Sequence, residues 1–211
     1  MKKLIVLGAI AACGLSTAQI SQGTTYISGT LNYQGDRDNN TEYKEDKFKA
    51  VPTVGHFLAD NFAIGVGVGY EGTTRERELT NGYRRNCDNG IVVEPFARKY
   101  FTLSDKLYFF GQLSVPMVFG KETREEVYHD FPADSNTTEG KFSSFGVALK
   151  PGLDYFFNKN WSVEATIGEF GYQTKKYDTE GAKSTDNINL GFNLDHVTLG
   201  VKYVFGSKKT N

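Results

Sequence analysis

Three histidines, His56, His129 and His196, are the side chains here best suited to proton transfer or metal ligation, and their spacing serves neither. A zinc site gathers His, Cys or carboxylates at short, set intervals, and a nucleophilic site needs a Ser or Cys beside a His and an orienting acid. His56 falls beside a short turn, His129 in a polar stretch and His196 near the start of the last strand. No catalytic set emerges, and no cofactor or metal is expected. His129 and Asp130 with Glu125, Glu126 and Asp134 offer oxygen ligands for a divalent cation, or simply a solvated charged segment. Arg75, Arg77, Arg84 and Arg85 present planar forks suited to phosphate, or again to plain solvation.

The first residues read as an export leader rather than as fold. Lys2 and Lys3 are followed by an apolar run over residues 4–15, and Ser16-Thr17-Ala18 supplies small residues for cleavage. Residues 1–18 are therefore expected to be removed and residues 19–211 to form one domain, with Gln19 first. Ile10-Ala11-Ala12-Cys13 leaves a second option, in which Cys13 becomes a lipidated first residue. Removal of the leader leaves Cys87 alone, so no intramolecular disulfide is expected. Taking Lys2 and Lys3 from 24 basic residues leaves 22 against 25 acidic ones, a net charge of −3 that gives no reason to expect a nucleic-acid partner.

Beyond the leader, apolar residues recur at every second position. Phe145, Val147, Leu149, Pro151, Leu153, Tyr155 and Phe157 share one face, as do Ile64, Val66, Val68 and Tyr70, and Val197, Leu199, Val201, Tyr203 and Phe205. Period two means strands. Eight such sets can be counted, each longer than a soluble strand needs and close to the ~9–11 residues of a tilted membrane strand. Short turns near residues 59–61, 102–105 and 158–160 alternate with polar stretches at 35–47, 72–89, 121–141 and 173–187, which are expected to be loops. The expectation is an all-β, eight-stranded antiparallel up-and-down transmembrane β-barrel with a side-chain-filled interior. Pro52, Pro95 and Pro151, each followed five residues later by an aromatic (Phe57, Tyr100, Phe156), suggest bulges or bends. Phe192 and Leu194 have the opposite parity from Val197, so a bulge is expected near Asp195 and His196.

The face opposite the apolar one holds Gly65, Gly67, Gly69, Ser114, Gly146, Ala148 and Thr166, with charges placed singly: Lys49, Glu71, Glu94, Arg98, Lys150, Asp154, Glu164 and Lys202. Four cations and four anions are what an interior ion-pair network requires, because a lone buried charge costs roughly 3–5 kcal/mol. On the apolar face Tyr33, Tyr70, Phe101, Phe119, Tyr155, Phe157, Trp161 and Tyr203 gather toward strand ends, as membrane-interface aromatics do.

The stretches Pro52-Thr53-Val54-Gly55-His56-Phe57-Leu58-Ala59-Asp60-Asn61-Phe62, Pro95-Phe96-Ala97-Arg98-Lys99-Tyr100-Phe101, Pro151-Gly152-Leu153-Asp154-Tyr155-Phe156-Phe157 and Leu199-Gly200-Val201-Lys202-Tyr203-Val204-Phe205 resemble the small outer-membrane β-barrel domain proteins of the OmpA/OmpX-like group. That resemblance implies the outer membrane of a Gram-negative bacterium, extracellular loops, contact with membrane lipid and lipopolysaccharide, and a monomer. It also implies that Phe205 acts as the C-terminal signal to the barrel-assembly machinery. The function it implies is non-enzymatic: envelope integrity, adhesion or surface recognition of a ligand the sequence does not name. A soluble lipocalin-type ligand-binding barrel and a lipid A-modifying enzyme are the rival readings.

Overall fold

The computed structural model describes residues 20–130, 135–178, 181–191 and 197–205. The leader, the alternatives at Cys13 and the irregularity expected near Asp195 and His196 lie outside them. Eleven ladder segments follow one another: β1 (Thr25–Asp38), β2 (Tyr43–Ala59), β3 (Phe62–Leu79), β4 (Gly82–Thr102), β5 (Leu107–Ser114), β6 (Met117–Tyr128), β7 (Asn136–Phe156), β8 (Trp161–Ile167), β9 (Glu169–Tyr177), β10 (Thr185–Gly191) and β11 (Val197–Phe205). They make eight staves, because β5–β6, β8–β9 and β10–β11 are each one stave in two pieces. Neighbours pair antiparallel throughout, and β1 closes the ring on β11 from Thr25 opposite Phe205 to Leu31 opposite Leu199.

The interruptions have separate causes. Pro116 has no N–H to give, so β5 and β6 part there, yet both keep one register against β4 and β7. At Gly168 the backbone turns left-handed (φ 86°). Leu149 to Gly152 on β7 then face Phe170 to Thr166, three steps against four, which is a bulge in the β8–β9 stave. It reverses parity, so that Glu164 and Thr166 before it and Gln173 and Lys175 after it all line the interior. Of the bulges or bends expected at prolines 52, 95 and 151, the one at Pro151 is met, since that residue lies in the Leu149–Gly152 stretch of β7 that faces the bulge. At Pro52 the β2–β3 ladder skips two residues and resumes in register, and at Pro95 pairing runs through.

The apolar face points outward. Val66, Leu113, Val147, Leu149, Leu199 and Val201 are exposed, whereas Ser114, Asp154, Ser162, Glu164 and Lys202 are buried. Lipid is the solvent that makes this inversion favourable, since hydrocarbon accepts exposed Leu and a closed barrel leaves no backbone edge unpaired. Residues 145–157, the outward set centred on β7, at ~3.3 Å rise and ~45° tilt, cross roughly 28 Å, close to the apolar height of a membrane barrel.

The four polar stretches expected as loops are instead largely strand. Pairing continues to Asp38 opposite Tyr43, Leu79 opposite Gly82, Glu126 opposite Asn136 and Lys175 opposite Thr185. Opposite charges on adjacent strands favour the ladder there: Arg75 with Glu45 (2.7 Å), Arg85 with Glu76 (2.8 Å) and Lys44 with Glu78 (3.4 Å). The barrel thus rises as a paired wall beyond the apolar band.

Four interior glycines receive aromatic rings from the strand directly opposite: Gly55 under Tyr26, Gly65 under Phe96, Gly152 under Phe110 and Gly120 under Phe142. A Cβ at Gly55 would stand 2.3 Å from the Tyr26 ring, and its three nearest neighbours are all Tyr26 atoms. Gly55→Ala should therefore cost about 1–3 kcal/mol through overpacking, and far less in a Tyr26→Ala background. Urea titration of both backgrounds reads the difference; equal losses would mean that the ring does not rest on the glycine.

Candidate functional site

The interior is the place where this sequence concentrates charge. At the short-turn end Tyr26, Phe57, Phe96, Tyr100, Tyr108 and Phe110 form a buried cluster with Phe156 against it. Tyr100 packs 5.5 Å from Phe57 and 5.9 Å from Phe110, ring centre to ring centre. These rings fill the section from side to side. Phe57, Tyr100 and Phe156 are the aromatics that follow the three prolines by five residues. The signal was available: an offset of five from an outward proline is odd, so Phe57, Tyr100 and Phe156 had to point inward.

Above the rings sit two ion pairs, Lys202 with Asp154 and Arg98 with Glu164. Lys202 and Asp154 have no exposed side-chain surface. Arg98 and Lys202 both donate to the Tyr100 hydroxyl oxygen, at 3.1 and 3.2 Å. Arg98 also donates to Gln112 Oε1 (2.8 Å), and Gln112 Nε2 reaches Glu94 Oε1 at 3.4 Å. Lys150 donates to the same Glu94 oxygen at 2.5 Å, and Lys49 lies 3.1 Å from Glu71. Each of the eight inward charges named from the sequence thus has an opposite partner, and Gln112, which carries no charge, links two of the pairs. Asp154 Oδ1, Glu164 Oε1, Ser28 Oγ and Ser162 Oγ are buried without a protein partner, positions suited to internal water.

Further toward the long hairpins the side chains leave space. A cavity of about 410 Å³ is bounded by Lys49, Glu94, Lys150 and Glu169, and another of about 340 Å³ by Asp88, Lys175 and Gln173. Asp88 accepts from Lys175 (2.9 Å) and Arg75 (3.3 Å), and Lys175 lies 3.9 Å from the Phe142 ring centre. The interior is closed by rings at one end and lined by charge at the other.

Outside, the aromatics form two tiers. Phe101, Tyr155, Phe157, Trp161, Tyr203 and Phe205 lie at the short-turn end, with Trp161 and Tyr203 4.9 Å apart. Tyr33, Tyr70 and Tyr172 lie at the other, and each donates its hydroxyl to the next strand, to Asp46 (2.7 Å), Asn89 (2.7 Å) and Asp186 (2.9 Å). Each of these three phenols thus tops the outward apolar band with a hydrogen bond to a polar group on the next strand.

The remaining sequence candidates are dispersed. His56 Nδ1 is 2.9 Å from Thr25 Oγ1, and His129 lies against Tyr83 near a hairpin tip. Glu125 and Glu126 pair with Arg85 and Arg84, and Arg75 with Glu45 and Asp88, so these arginines are engaged within the wall. Asp134 lies outside the described residues.

In the wall, burial raises the Glu45 carboxyl, but hydrogen bonds from Lys47 and Arg75 outweigh it and hold the group below its ordinary value; Arg37 and Tyr33 hold exposed Asp46 low as well. A depressed carboxylate stabilises above its unfolded pKa and loses that contribution as pH falls through the folded one. Hydrogen-exchange protection of β1–β3 beyond residue 33 should therefore drop as pH falls below the usual carboxylate range of about 4, while the membrane-level strands keep theirs.

An antiparallel ring with lipid-facing apolar residues and a paired polar interior defines a transmembrane β-barrel. The chain belongs to the outer membrane protein beta-barrel domain family, whose model matches residues 4–205, and is thus a protein of the Gram-negative outer membrane. Its fold is similar to the N-terminal β-barrel domain of Pseudomonas aeruginosa OprF, with 14% identity over 88% of this chain and 100% of that one and a TM-score of 0.39. OprG from the same organism aligns at 11% identity over 91% and 100%, TM-score 0.45. Yersinia pestis Ail, solved with the heparin analogue sucrose octasulfate, aligns at 13% over 87% and 99%, TM-score 0.38. Comparison with curated protein sequences gives no match.

Proposed function

We propose that the protein is a non-enzymatic outer-membrane scaffold whose hairpin wall stands outside the cell, serving envelope integrity, adhesion or recognition of a surface ligand. The observation that carries the proposal is the wall itself: strands stay paired well past the Tyr33–Tyr70–Tyr172 tier, above a base closed by rings and ion pairs. Stiffness beyond the bilayer is of use in presenting a surface and of none to a simple membrane anchor. Export by a leader cleaved after Ala18, assembly through Phe205 at the end of β11, contact with lipopolysaccharide and a monomeric state belong to the same proposal. The lipocalin alternative requires an apolar interior, and here the charged face is the inner one.

Orientation is tested by single cysteines in a Cys87→Ser background. Asn40→Cys at a hairpin tip should react with a membrane-impermeant maleimide on intact cells, and Asn158→Cys at a short turn only after permeabilisation. The reverse pattern would turn the wall to the periplasm and remove the adhesive reading.

A further inference from the structure

Above the ring floor three cavities adjoin one another. The first, of about 410 Å³ over Phe96 and Arg98, shares Lys150 and Glu169 with a second of about 280 Å³, and that one shares Glu71, Gln173 and Asn187 with the third, of about 340 Å³ beside Asp88. Gln173, Thr185 and Asn187 are exposed, so the third cavity opens among the long hairpins. A groove closed by rings at its base and open at its top holds a solute rather than passing it through. Sites for small molecules span about 300–1,000 Å³, and the three cavities together lie within that scale.

The lining has no charge to spare. Lys49, Arg98 and Lys150 stand against Glu94, Glu164 and Glu169 in the first cavity, three against three, and Arg75 and Lys175 against Glu71 and Asp88 in the third, two against two. All five cations are engaged: Lys150 with Glu94, Lys49 with Glu71, Arg98 with Glu164, and Lys175 and Arg75 with Asp88. An ionic ligand would have to break one of these pairs and leave a charge without its counter-charge. An uncharged ligand keeps them all.

What the lining does have is unused hydrogen-bonding capacity. Glu164 Oε1 in the first cavity and Asp88 Oδ1 in the third are buried and have no partner among the described residues, and the same holds for Asn86 Oδ1, two positions from Asp88 on the same inner face. Glu164 is 2% exposed and Asp88 8%. All three atoms are acceptors, so each calls for a donor. Thr30, Asn32, Thr53 and Asn189 add groups that both donate and accept. Phe142 and Tyr177, 6.2 Å apart, bring ring surface to the third cavity.

We infer that this groove binds a short uncharged oligosaccharide. Its hydroxyls donate to the orphaned oxygens and accept from the amides, taking the place of water, and its C–H faces rest on the rings. The inference deepens the surface-recognition reading and rests on it for the source of the sugar, since an outward groove meets sugars outside the cell.

The test uses the folded full chain in a zwitterionic detergent without a sugar headgroup. Orientation plays no part there, so failure is distinct from failure of the maleimide experiment. Saturation-transfer NMR measures binding of two neutral trisaccharides, maltotriose and triacetylchitotriose, against trigalacturonate and the glucosamine trimer in its ammonium form. Both neutral sugars should bind saturably, and about tenfold tighter than either charged one. Gln173→Trp on β9 and Asn187→Trp directly opposite on β10 fill the waist between the second and third cavities, and each should cost about tenfold in affinity. Thr174→Trp sets the same bulk on the outer face of β9 and should change nothing. The mobility difference between unboiled and boiled protein identifies the folded variants. Absence of saturable binding by both neutral sugars overturns the proposal, and equal binding of a charged trimer overturns the uncharged class. An equal loss in Thr174→Trp, or none in the two lumen variants, overturns the groove as the site. Beads carrying the trisaccharide through its reducing end separate the two sources: capture of the protein assigns the end of a glycan chain, and binding of the free sugar alone assigns a soluble one.

Discussion

Lys202→Met lowers the free energy of unfolding by about 3–5 kcal/mol, because it leaves the fully buried Asp154 carboxylate without its counter-charge. Both members of the pair are fully buried, and Lys202 also donates to Tyr100 and lies near the rings of Tyr26, Tyr100 and Phe156. The double variant Lys202→Met/Asp154→Leu should recover most of the loss, since replacing a buried pair by packed apolar groups is often neutral. Urea titration in detergent, followed by the difference in gel mobility between folded and boiled protein, reads both. If the double variant is as unstable as the single one, the pair's value lies in the hydrogen bonds to Tyr100 rather than in mutual neutralisation. Lys49→Met is the contrast. Its partner Glu71 is about a third exposed, and the loss should stay near or below about 1 kcal/mol.

Leu149→Arg lowers stability by about 2–4 kcal/mol in a bilayer, the cost of a lipid-facing cation near the midplane. Leu149 is 48% exposed and lies between Phe145 and Phe157, far from both aromatic tiers. In a water-soluble sheet an exposed leucine of this kind would tolerate arginine within about 0.5 kcal/mol. Reversible unfolding from lipid vesicles should show the full effect, and Thr137→Arg in the wall should show almost none. Equal and small effects at both sites would contradict membrane burial of the band.

The alternation itself was legible without coordinates, because a strand that meets lipid on one side and its own interior on the other must alternate at every step. From it follow the strand count, the outward set ending in Phe205 and the eight inward charges. The polar stretches were misjudged as loops. Polarity distinguishes lipid from water, but in water a polar segment may be strand or coil, and the choice at residues 72–89 rests on partners such as Glu45, Glu76 and Glu126 that lie across the sheet. The bulge at Gly168 did leave a parity mark, since the outward residues Trp161, Val163, Ala165 and Ile167 are odd-numbered and Phe170 and Tyr172 even-numbered, a switch that a single left-handed glycine permits.

By itself, then, the sequence determined which residues face lipid and which face inward, a one-dimensional property carried by side-chain order. Which cation meets which anion and which ring lies on which glycine were decided only by the tertiary structure. Those contacts join distant residues, as Lys175 meets Asp88 across 87 positions, and they depend on the register and closure of the whole ring.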